Sequence, residues 1–121
     1  MIIDHITIAV SNFERSRLFY ERALAPLGIS ILARFDGFAG MGTNRPQFWF
    51  AAGGIGKHKT HIAFVADSRA AVDAFYHAAI AAGGTDNGAP GLRTIYHPTY
   101  YGAFVFDPDL YNVEAVCHAA P

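Results

Sequence analysis

Three residues that can bind transition metals stand out in this sequence: His5, His61 and Glu114. Glu114 lies inside the apolar run 113–116, where an unpaired buried carboxylate is costly and normally has a cation, a donor network or a metal beside it. Two imidazoles and one carboxylate bind Fe(II), Mn(II), Zn(II) or Ni(II) and leave coordination positions open for substrate or water. These residue types indicate a divalent-metal site; a metal-free polar network of the same three groups is the alternative.

The two histidines occupy equivalent positions of an internal repeat. Residues 4–28 align with residues 60–84 at an offset of 56 without a gap, and seven of the 25 aligned positions are identical. The identical pairs are His5/His61, Ile6/Ile62, Phe19/Phe75, Tyr20/Tyr76, Ala23/Ala79, Ala25/Ala81 and Gly28/Gly84. Two copies of one supersecondary unit place the histidines at pseudo-symmetric points, where a metal site can form between modules.

Each repeat begins with a predicted strand that positions its histidine. Large apolar residues alternate with smaller or polar ones in Ile6–Val10 and in Ile62–Ala66, which is the period of a half-buried strand. By this alternation, His5 and His61 lie on the face that points away from the following helix. On the last strand, Glu114 lies on the face opposite to Cys117, which is predicted to be a core residue.

A helix and three further strands follow in each repeat. A Ser-x-x-Glu capping box at Ser11 begins the first helix, which runs to about Leu24. The second begins at Asp67-Ser68 and ends at Gly83-Gly84. The further strands are predicted at Ile29–Phe35, Phe38–Met41, Gln47–Ala52, Leu92–Tyr96, Gly102–Phe106 and Asn112–His118. The expected fold class is α+β, with two tandem βαβββ modules that form a cupped mixed sheet and carry their helices on the outside.

We expect one domain over residues 1–121, made of repeats at about 1–54 and 57–121 that the flexible segment 53–57 joins. Neither half of about 60 residues should bury enough surface to fold alone. Nine basic and ten acidic residues leave a formal charge of -1, which favours a small-molecule ligand over nucleic acid or a membrane surface. The single cysteine excludes an intrachain disulfide, and the N-terminal residues lack a leader pattern, so we expect a cytoplasmic protein.

The chain resembles the vicinal oxygen chelate superfamily, which includes glyoxalase I, extradiol dioxygenases, fosfomycin thiol transferases and bleomycin-binding proteins. The resemblance rests on the twofold βαβββ pattern, the strand openings DHITIAV and THIAFVA, and the closing run Phe-Val-x-Asp-Pro-Asp-x-x-Asn-x-Glu at 104–114. Residues 86–98 are similar to the small bacterial glyoxalase-like branch in particular. By position, the resemblance implies that His5, His61 and Glu114 hold a divalent metal, with Glu114 also in the catalytic role.

Two positions depart from the family pattern. Glyoxalase I has a fourth ligand, a glutamate on the last strand of the first module, where this chain reads Gln-Phe-Trp-Phe at 47–50. A three-ligand site instead resembles the thiol transferases and dioxygenases of the superfamily. The family usually has glycine in the turn after Asp109, where this chain has Leu110, so a reshaped turn that shifts Glu114 is expected.

The resemblance implies Lewis-acid chemistry on two neighbouring oxygens of a small substrate. Isomerisation, thiol addition and ring cleavage with dioxygen all stay open, and the competing class is a metal-free protein that sequesters a ligand, as antibiotic-binding relatives do. Substrate contacts are expected from Trp49, Arg93, Tyr96, His97 and Tyr101. Relatives of this length usually pair, so we expect a homodimer, with the site inside one chain or shared between His5 of one chain and His61 with Glu114 of the other.

Overall fold

The computed structural model describes residues 3–53 and 60–121. The first module contains β1 (Ile6–Val10), α1 (Phe13–Leu24), a short 3-10 helix (Ala25–Leu27), β2 (Ser30–Phe35), β3 (Phe38–Gly42) and β4 (Phe48–Ala52). The second contains β5 (His61–Val65), α2 (Arg69–Ala81), β6 (Thr85–Leu92), β7 (Tyr101–Phe106) and β8 (Asn112–Cys117). Most of the expected linker, residues 54–57, lies outside the described residues. Neither α1 nor α2 is long and apolar enough to cross a bilayer.

Both modules form four-stranded mixed sheets with the same topology. The strand orders are β1-β4-β3-β2 and β5-β8-β7-β6. In each sheet the first strand runs parallel to the last strand of its module, and the remaining neighbours are antiparallel. The predicted fold class, α+β with two tandem βαβββ modules, is confirmed.

One face of each sheet packs against the helices and the other carries the candidate ligands. In β1, for example, Ile8 is buried and Thr7 is exposed, as the alternation predicts. We call the second face the cup face; it carries Thr7 and Trp49 in the first sheet and Ala63 and Glu114 in the second. The regular alternation of β1 and β5 therefore sets which side chains are available for chemistry.

The hydrophobic core lies on the helix faces, where α1 and α2 contact each other. Phe19 and Tyr20 of α1 are fully buried there. Gly84 allows this approach, since a Cβ atom at this position would lie 2.8 Å from Cε1 of Phe19 and 2.5 Å from Cγ1 of Val105. Its repeat equivalent, Gly28, instead has a left-handed φ of 77°. Gly84 is thus needed for close packing, whereas Gly28 is needed for its left-handed backbone conformation.

The strand predicted at Leu92–Tyr96 is wrong. β6 covers residues 85–92, and a loop of residues 93–100 connects it to β7. The segment TDNGAPGL has few β-branched or aromatic residues, so the strand pattern missed it. The segment nevertheless forms a strand because it pairs with β7, and the register of this pairing shifts on both sides of Gly88.

The capping box predicted at Ser11 is also wrong. Asn12 is the N-cap of α1, and its side chain accepts a hydrogen bond of 3.0 Å from the backbone N–H of Arg15. The Ser11 hydroxyl instead donates to the buried carboxylate of Asp109, which also accepts the Ser11 backbone N–H at 3.0 Å. The second helix begins as predicted, with Ser68 as its N-cap.

Buried polar contacts join the two modules around the turn between β7 and β8. Tyr20 of α1 donates its hydroxyl to Asp107 at 2.6 Å, and the hydroxyl of Tyr111 donates to the carbonyl oxygen of Ala9 at 2.7 Å. In the same turn, Leu110 has a φ of 68°, the left-handed conformation that glycine adopts most easily. The turn was expected to change shape because leucine replaces glycine there. Instead, Leu110 itself adopts the left-handed conformation that a glycine would favour.

Candidate metal and substrate site

Strands β1 and β5 line one open groove, to which residues of both faces of each strand contribute. The groove measures about 710 Å³, and both His5 and His61 lie along it. Their side chains are 56% and 54% exposed, respectively. Two imidazoles with this exposure are accessible to a metal ion or to a ligand from outside the chain.

Glu114 is a buried carboxylate in contact with His61. The register of the sheet pairs Ala63 with Glu114, which brings the Glu114 side chain beside that of His61, two residues before Ala63. Oε1 of Glu114 lies 2.9 Å from Nε2 of His61, and the glutamate side chain is only 2% exposed. The first strand and the last strand of the second module thus supply two candidate ligand atoms at one point of the cup face.

The second carboxylate oxygen of Glu114 is also occupied. The hydroxyl of Tyr100 donates a hydrogen bond to Oε2. Burial, followed by this hydrogen bond and the nearby negative charge, raises the pKa of Tyr100 well above that of an ordinary tyrosine. Tyr100 is therefore a neutral hydrogen-bond donor to Glu114 at neutral pH.

His5 is held in a separate hydrogen-bond arrangement. Its Nδ1 lies 2.7 Å from Oδ2 of Asp4, and Oδ1 of Asp4 pairs with the guanidinium of Arg45 at 2.9 Å. The hydrogen bond to His5, together with the charge of Arg45, lowers the pKa of Asp4. A carboxylate on Nδ1 orients the ring and makes Nε2 the nitrogen that is available to a metal.

The donor atoms fit one half of a divalent-metal centre. His61 and Glu114 provide a nitrogen and an oxygen on the same face, and both are donor types that such metals prefer. Within residues 3–53 and 60–121, however, no three His, Cys, Asp or Glu side chains come close enough to hold a metal ion. A single chain therefore brings together Glu114 and His61 but does not bring His5 to them.

Trp49 occupies the position in the first module that corresponds to Glu114. It pairs with Thr7, whose repeat equivalent Ala63 pairs with Glu114. The indole packs over Gly40, where a Cβ atom would lie 2.7 Å from Cε2 of the ring. Trp49 also lines a cavity of about 440 Å³; its lining residues are Asp4, His5, Thr7, Phe38, Pro46, Trp49, Phe50 and Ala51. Trp49, one of the predicted substrate contacts, thus lies beside His5 and forms an aromatic wall of this cavity.

Arg93 and Tyr96 lie around the cup face of the second sheet. The guanidinium of Arg93 stacks over the ring of Phe104 at 5.5 Å, and Phe104 pairs with Glu114 in the sheet. The ring of Tyr96 packs against Tyr100 at 4.8 Å between centroids. Both predicted substrate contacts are therefore near Glu114.

His97 and Tyr101 are placed differently from each other. Nε2 of His97 lies 2.7 Å from Nδ1 of His118, beside the cup face. Tyr101 is on the helix face, where its hydroxyl donates to Asp73 of α2 at 2.6 Å. Tyr101 therefore points to the opposite face of the sheet from Glu114, whereas its neighbour Tyr100 contacts Glu114 directly.

Tyr100 was not among the site residues chosen from the sequence. In the segment YGAFVF at 101–106, Tyr101, Ala103 and Val105 alternate with Gly102, Phe104 and Phe106. The buried small residues of the first set pack on the helix face. Extending this alternation backwards by one residue would have placed Tyr100 on the cup face with Glu114.

Comparison with known proteins defines the family. The sequence profile of the Glyoxalase/Bleomycin resistance protein/Dioxygenase superfamily matches residues 2–115, and the chain belongs to this superfamily. None of the curated proteins matches this sequence.

Solved structures with the same fold cover nearly the whole chain. A glyoxalase/bleomycin resistance protein from Albidiferax ferrireducens T118 is 27% identical over 98% of this chain and 100% of its own, with a TM-score of 0.85. A glyoxalase/bleomycin resistance protein/dioxygenase family enzyme from Burkholderia phytofirmans PsJN is 24% identical, covers 96% and 98%, and has a TM-score of 0.75. The fosfomycin resistance protein FosX from Mesorhizobium loti is 18% identical, covers 98% and 95%, and has a TM-score of 0.73.

Proposed function

We propose that the protein is a divalent-metal-dependent, glyoxalase-like enzyme that acts in the cytoplasm on a small substrate with two neighbouring oxygens. The reaction class is lyase or isomerase, thiol transfer, or dioxygenase chemistry, all of which superfamily membership allows. The observation that carries the proposal is the carboxylate of Glu114, 2% exposed and 2.9 Å from Nε2 of His61. A buried carboxylate beside an accessible imidazole is half of a metal site.

We propose further that the site is completed between two chains. The ligands are His61 and Glu114 of one chain and His5 of its partner. Two observations support this arrangement: in one chain, no described group of three ligand-type residues forms, and His5 is accessible from outside. A C2 dimer would then hold two equivalent sites, because the symmetry repeats every contact.

The side chains of this protein have distinct roles in the proposed site. A divalent metal, when bound, supplies Lewis-acid stabilisation of negative charge on a substrate oxygen. His5, His61 and Glu114 hold it, and Glu114 is the candidate for proton transfer near the substrate. Trp49 provides an aromatic floor for the apolar part of the substrate. Arg93, stacked on Phe104, places positive charge at the rim of the cup face.

Metal analysis of protein purified without chelator tests this proposal. We expect one divalent metal per chain in the wild type and loss of the metal in His61→Ala and in Glu114→Gln. His77→Ala is the matched control, because His77 lies exposed on α2 and outside the cup face. Absence of metal from the wild type, even after reconstitution with Fe(II), Mn(II), Zn(II) or Ni(II), would contradict the proposal.

The second candidate is a metal-free small-ligand-binding protein of the antibiotic-sequestering type. Trp49 favours it, because an aromatic side chain replaces a carboxylate at the repeat-equivalent position and lines a cavity of about 440 Å³. Such a protein would bind its ligand equally well after treatment with chelator. The metal-dependent enzyme would lose ligand affinity with the metal.

A further inference from the structure

The loop of residues 93–100 folds over Glu114 and brings one phenol onto it. Tyr100, at the end of this loop, donates its hydroxyl to Oε2 of Glu114. Gly102 lies beneath this contact, since a Cβ atom there would be 3.2 Å from Cε1 of Tyr100 and 3.4 Å from Oε2 of Glu114. A glycine at this position leaves the room that the pair occupies.

Two histidines fasten the same loop to the end of β8. The rings of His97 and His118 stack with 5.0 Å between centroids, and the ring of Tyr100 meets each of them edge-on at 5.4 Å. Thr99 reinforces the junction, because its hydroxyl donates to the carbonyl oxygen of His118 at 2.7 Å. We call the bonded pair His97 and His118 the clasp.

The hydrogen bonds around the clasp define its proton positions. The backbone N–H of Thr99 donates to Nδ1 of His97 at 3.2 Å, so this nitrogen carries a lone pair. Neutral His97 therefore bears its proton on Nε2 and donates it to Nδ1 of His118 at 2.7 Å. Both facing nitrogens are thereby used within the clasp, which fits a structural bond between loop and strand better than a second metal site.

We propose that Tyr100 is a positioning residue for Glu114, and that the clasp holds it in place. With Oε2 bonded to the phenol, Oε1 is the oxygen that remains directed at His61. Glu114 then presents a single oxygen in a fixed orientation, as a one-oxygen ligand or base. This inference rests on the proposed function for its consequence in metal binding, whereas the hydrogen bond from Tyr100 to Glu114 is part of the structure itself.

Carbon NMR of the metal-free protein tests the positioning directly. The chain has three glutamates, Glu14, Glu21 and Glu114, so protein labelled with ¹³C at the glutamate carboxyl carbons gives three resonances, two of them from the exposed helix α1. We expect Tyr100→Phe to shift the Glu114 resonance at neutral pH and to leave the other two unchanged. Tyr101→Phe is the matched control, because it removes a phenol–carboxylate bond on the helix face. An unchanged Glu114 resonance in Tyr100→Phe, or an equal shift in Tyr101→Phe, would overturn the proposal.

The clasp is tested in the same spectra. We expect His97→Leu to move the Glu114 resonance in the same direction as Tyr100→Phe, while His77→Ala leaves it in place. A Glu114 resonance that does not respond to His97→Leu removes the clasp from the proposal.

Co(II) binding measures the consequence for the metal. Loss of a hydrogen bond to a ligating side chain typically weakens metal binding by about ten- to a hundredfold, and we expect this range for Tyr100→Phe and no change for Tyr101→Phe. The visible spectrum of bound Co(II) should change as well, because the freed Oε2 can join the coordination. If wild-type protein binds no Co(II), the proposed function fails, and the NMR measurement still decides the positioning role. If Co(II) binds equally tightly and with the same spectrum in Tyr100→Phe, the positioning role is overturned.

Discussion

Trp49 stands opposite Thr7 in the first sheet as Glu114 stands opposite Ala63 in the second. Because Thr7 and Ala63 are equivalent in the repeat, an indole takes the place of a buried carboxylate. The first module therefore contributes one candidate ligand, His5, and an aromatic surface, whereas the second contributes an imidazole–carboxylate pair. The two halves of the chain share a fold but offer different chemistry on their cup faces.

The fluorescence of Trp49 should report metal binding. It is the single tryptophan of the chain and lines the same cavity as His5. Co(II), which absorbs and quenches indole emission at short range, should quench it saturably in the wild type and in the control His77→Ala. The quenching should disappear in His5→Ala. Saturable quenching that persists in His5→Ala would show that the metal binds without His5.

Tyr20→Phe should weaken the connection between the modules. The Tyr20 hydroxyl donates to the buried carboxylate of Asp107 across the modules, and loss of such a bond costs about 1.5–3 kcal/mol of unfolding free energy. We propose that the chain is one domain, so urea should unfold both modules in a single transition at a lower midpoint. Tyr76→Phe is the control: its bond to Asp86 is exposed, and its loss should cost about 0.5 kcal/mol or less. Two separate transitions in the wild type would contradict the single domain.

Asp107→Asn should change how stability depends on pH. Burial raises the pKa of Asp107, although hydrogen bonds from Tyr20 and from backbone N–H groups act in the opposite direction. A carboxyl group with a raised folded-state pKa stabilises the fold while protonated. This contribution is complete below about pH 4 and is lost as the pH rises through the folded-state pKa.

The amide of Asp107→Asn can accept the same backbone bonds and donate to the Tyr20 hydroxyl, but it carries no charge. We therefore expect the stability of the variant relative to the wild type to increase between about pH 4 and pH 7. Thermal unfolding of both proteins across this range provides the measurement. A relative stability that falls with rising pH would show that the charged form of Asp107 is favoured in the fold.

Leu110→Gly should stabilise the protein. The left-handed conformation costs an L-residue about 1–2 kcal/mol, and the greater freedom of unfolded glycine offsets about 0.5–1 kcal/mol of the gain. A net stabilisation of up to about 1.5 kcal/mol is expected, measured as a higher urea midpoint. Leu92→Gly, in strand β6, has no such strain to relieve and should lower the midpoint. A lower midpoint for Leu110→Gly would show that its side-chain contacts outweigh the strain.

Local patterns predicted much of the fold. The alternation of apolar and polar residues after His5 and His61 predicted strands β1 and β5. It also predicted the sheet face on which each histidine lies, because the side chains of a strand alternate with a period of two. The same reasoning missed β6, which forms by pairing with β7 although its own residues disfavour a strand. The prediction of a capping box at Ser11 was wrong because the Ser11 hydroxyl donates its hydrogen bond to Asp109, 98 positions away in the sequence.

The candidate site was less predictable than the fold. The apolar surroundings of Glu114 correctly indicated a buried carboxylate with a polar partner, and His61 and Tyr100 are those partners. The contact between Glu114 and Tyr100 depends on the path of the loop of residues 93–100, and no periodic sequence pattern predicts that path. In the proposed site, His5 meets His61 and Glu114 only where two chains associate, and no local pattern in one chain contains that association.

Subunit mixing tests the proposed metal centre between two chains most directly. His5→Ala and Glu114→Gln should each fail to retain metal as homodimers. A dimer with one chain of each kind has one site with both defects and one intact site, built from the unaltered His5 of one chain and the unaltered His61 and Glu114 of the other. Random exchange makes about half of the dimers mixed, so the mixture should recover about a quarter of the wild-type metal content.

Different affinity tags on the two variants verify that mixed dimers form, and metal is then measured in the isolated mixed dimer. The proposed centre requires half of the wild-type metal content in that fraction. Verified mixed dimers that hold no metal, beside a wild type that does, would show that His5, His61 and Glu114 do not share a site across two chains.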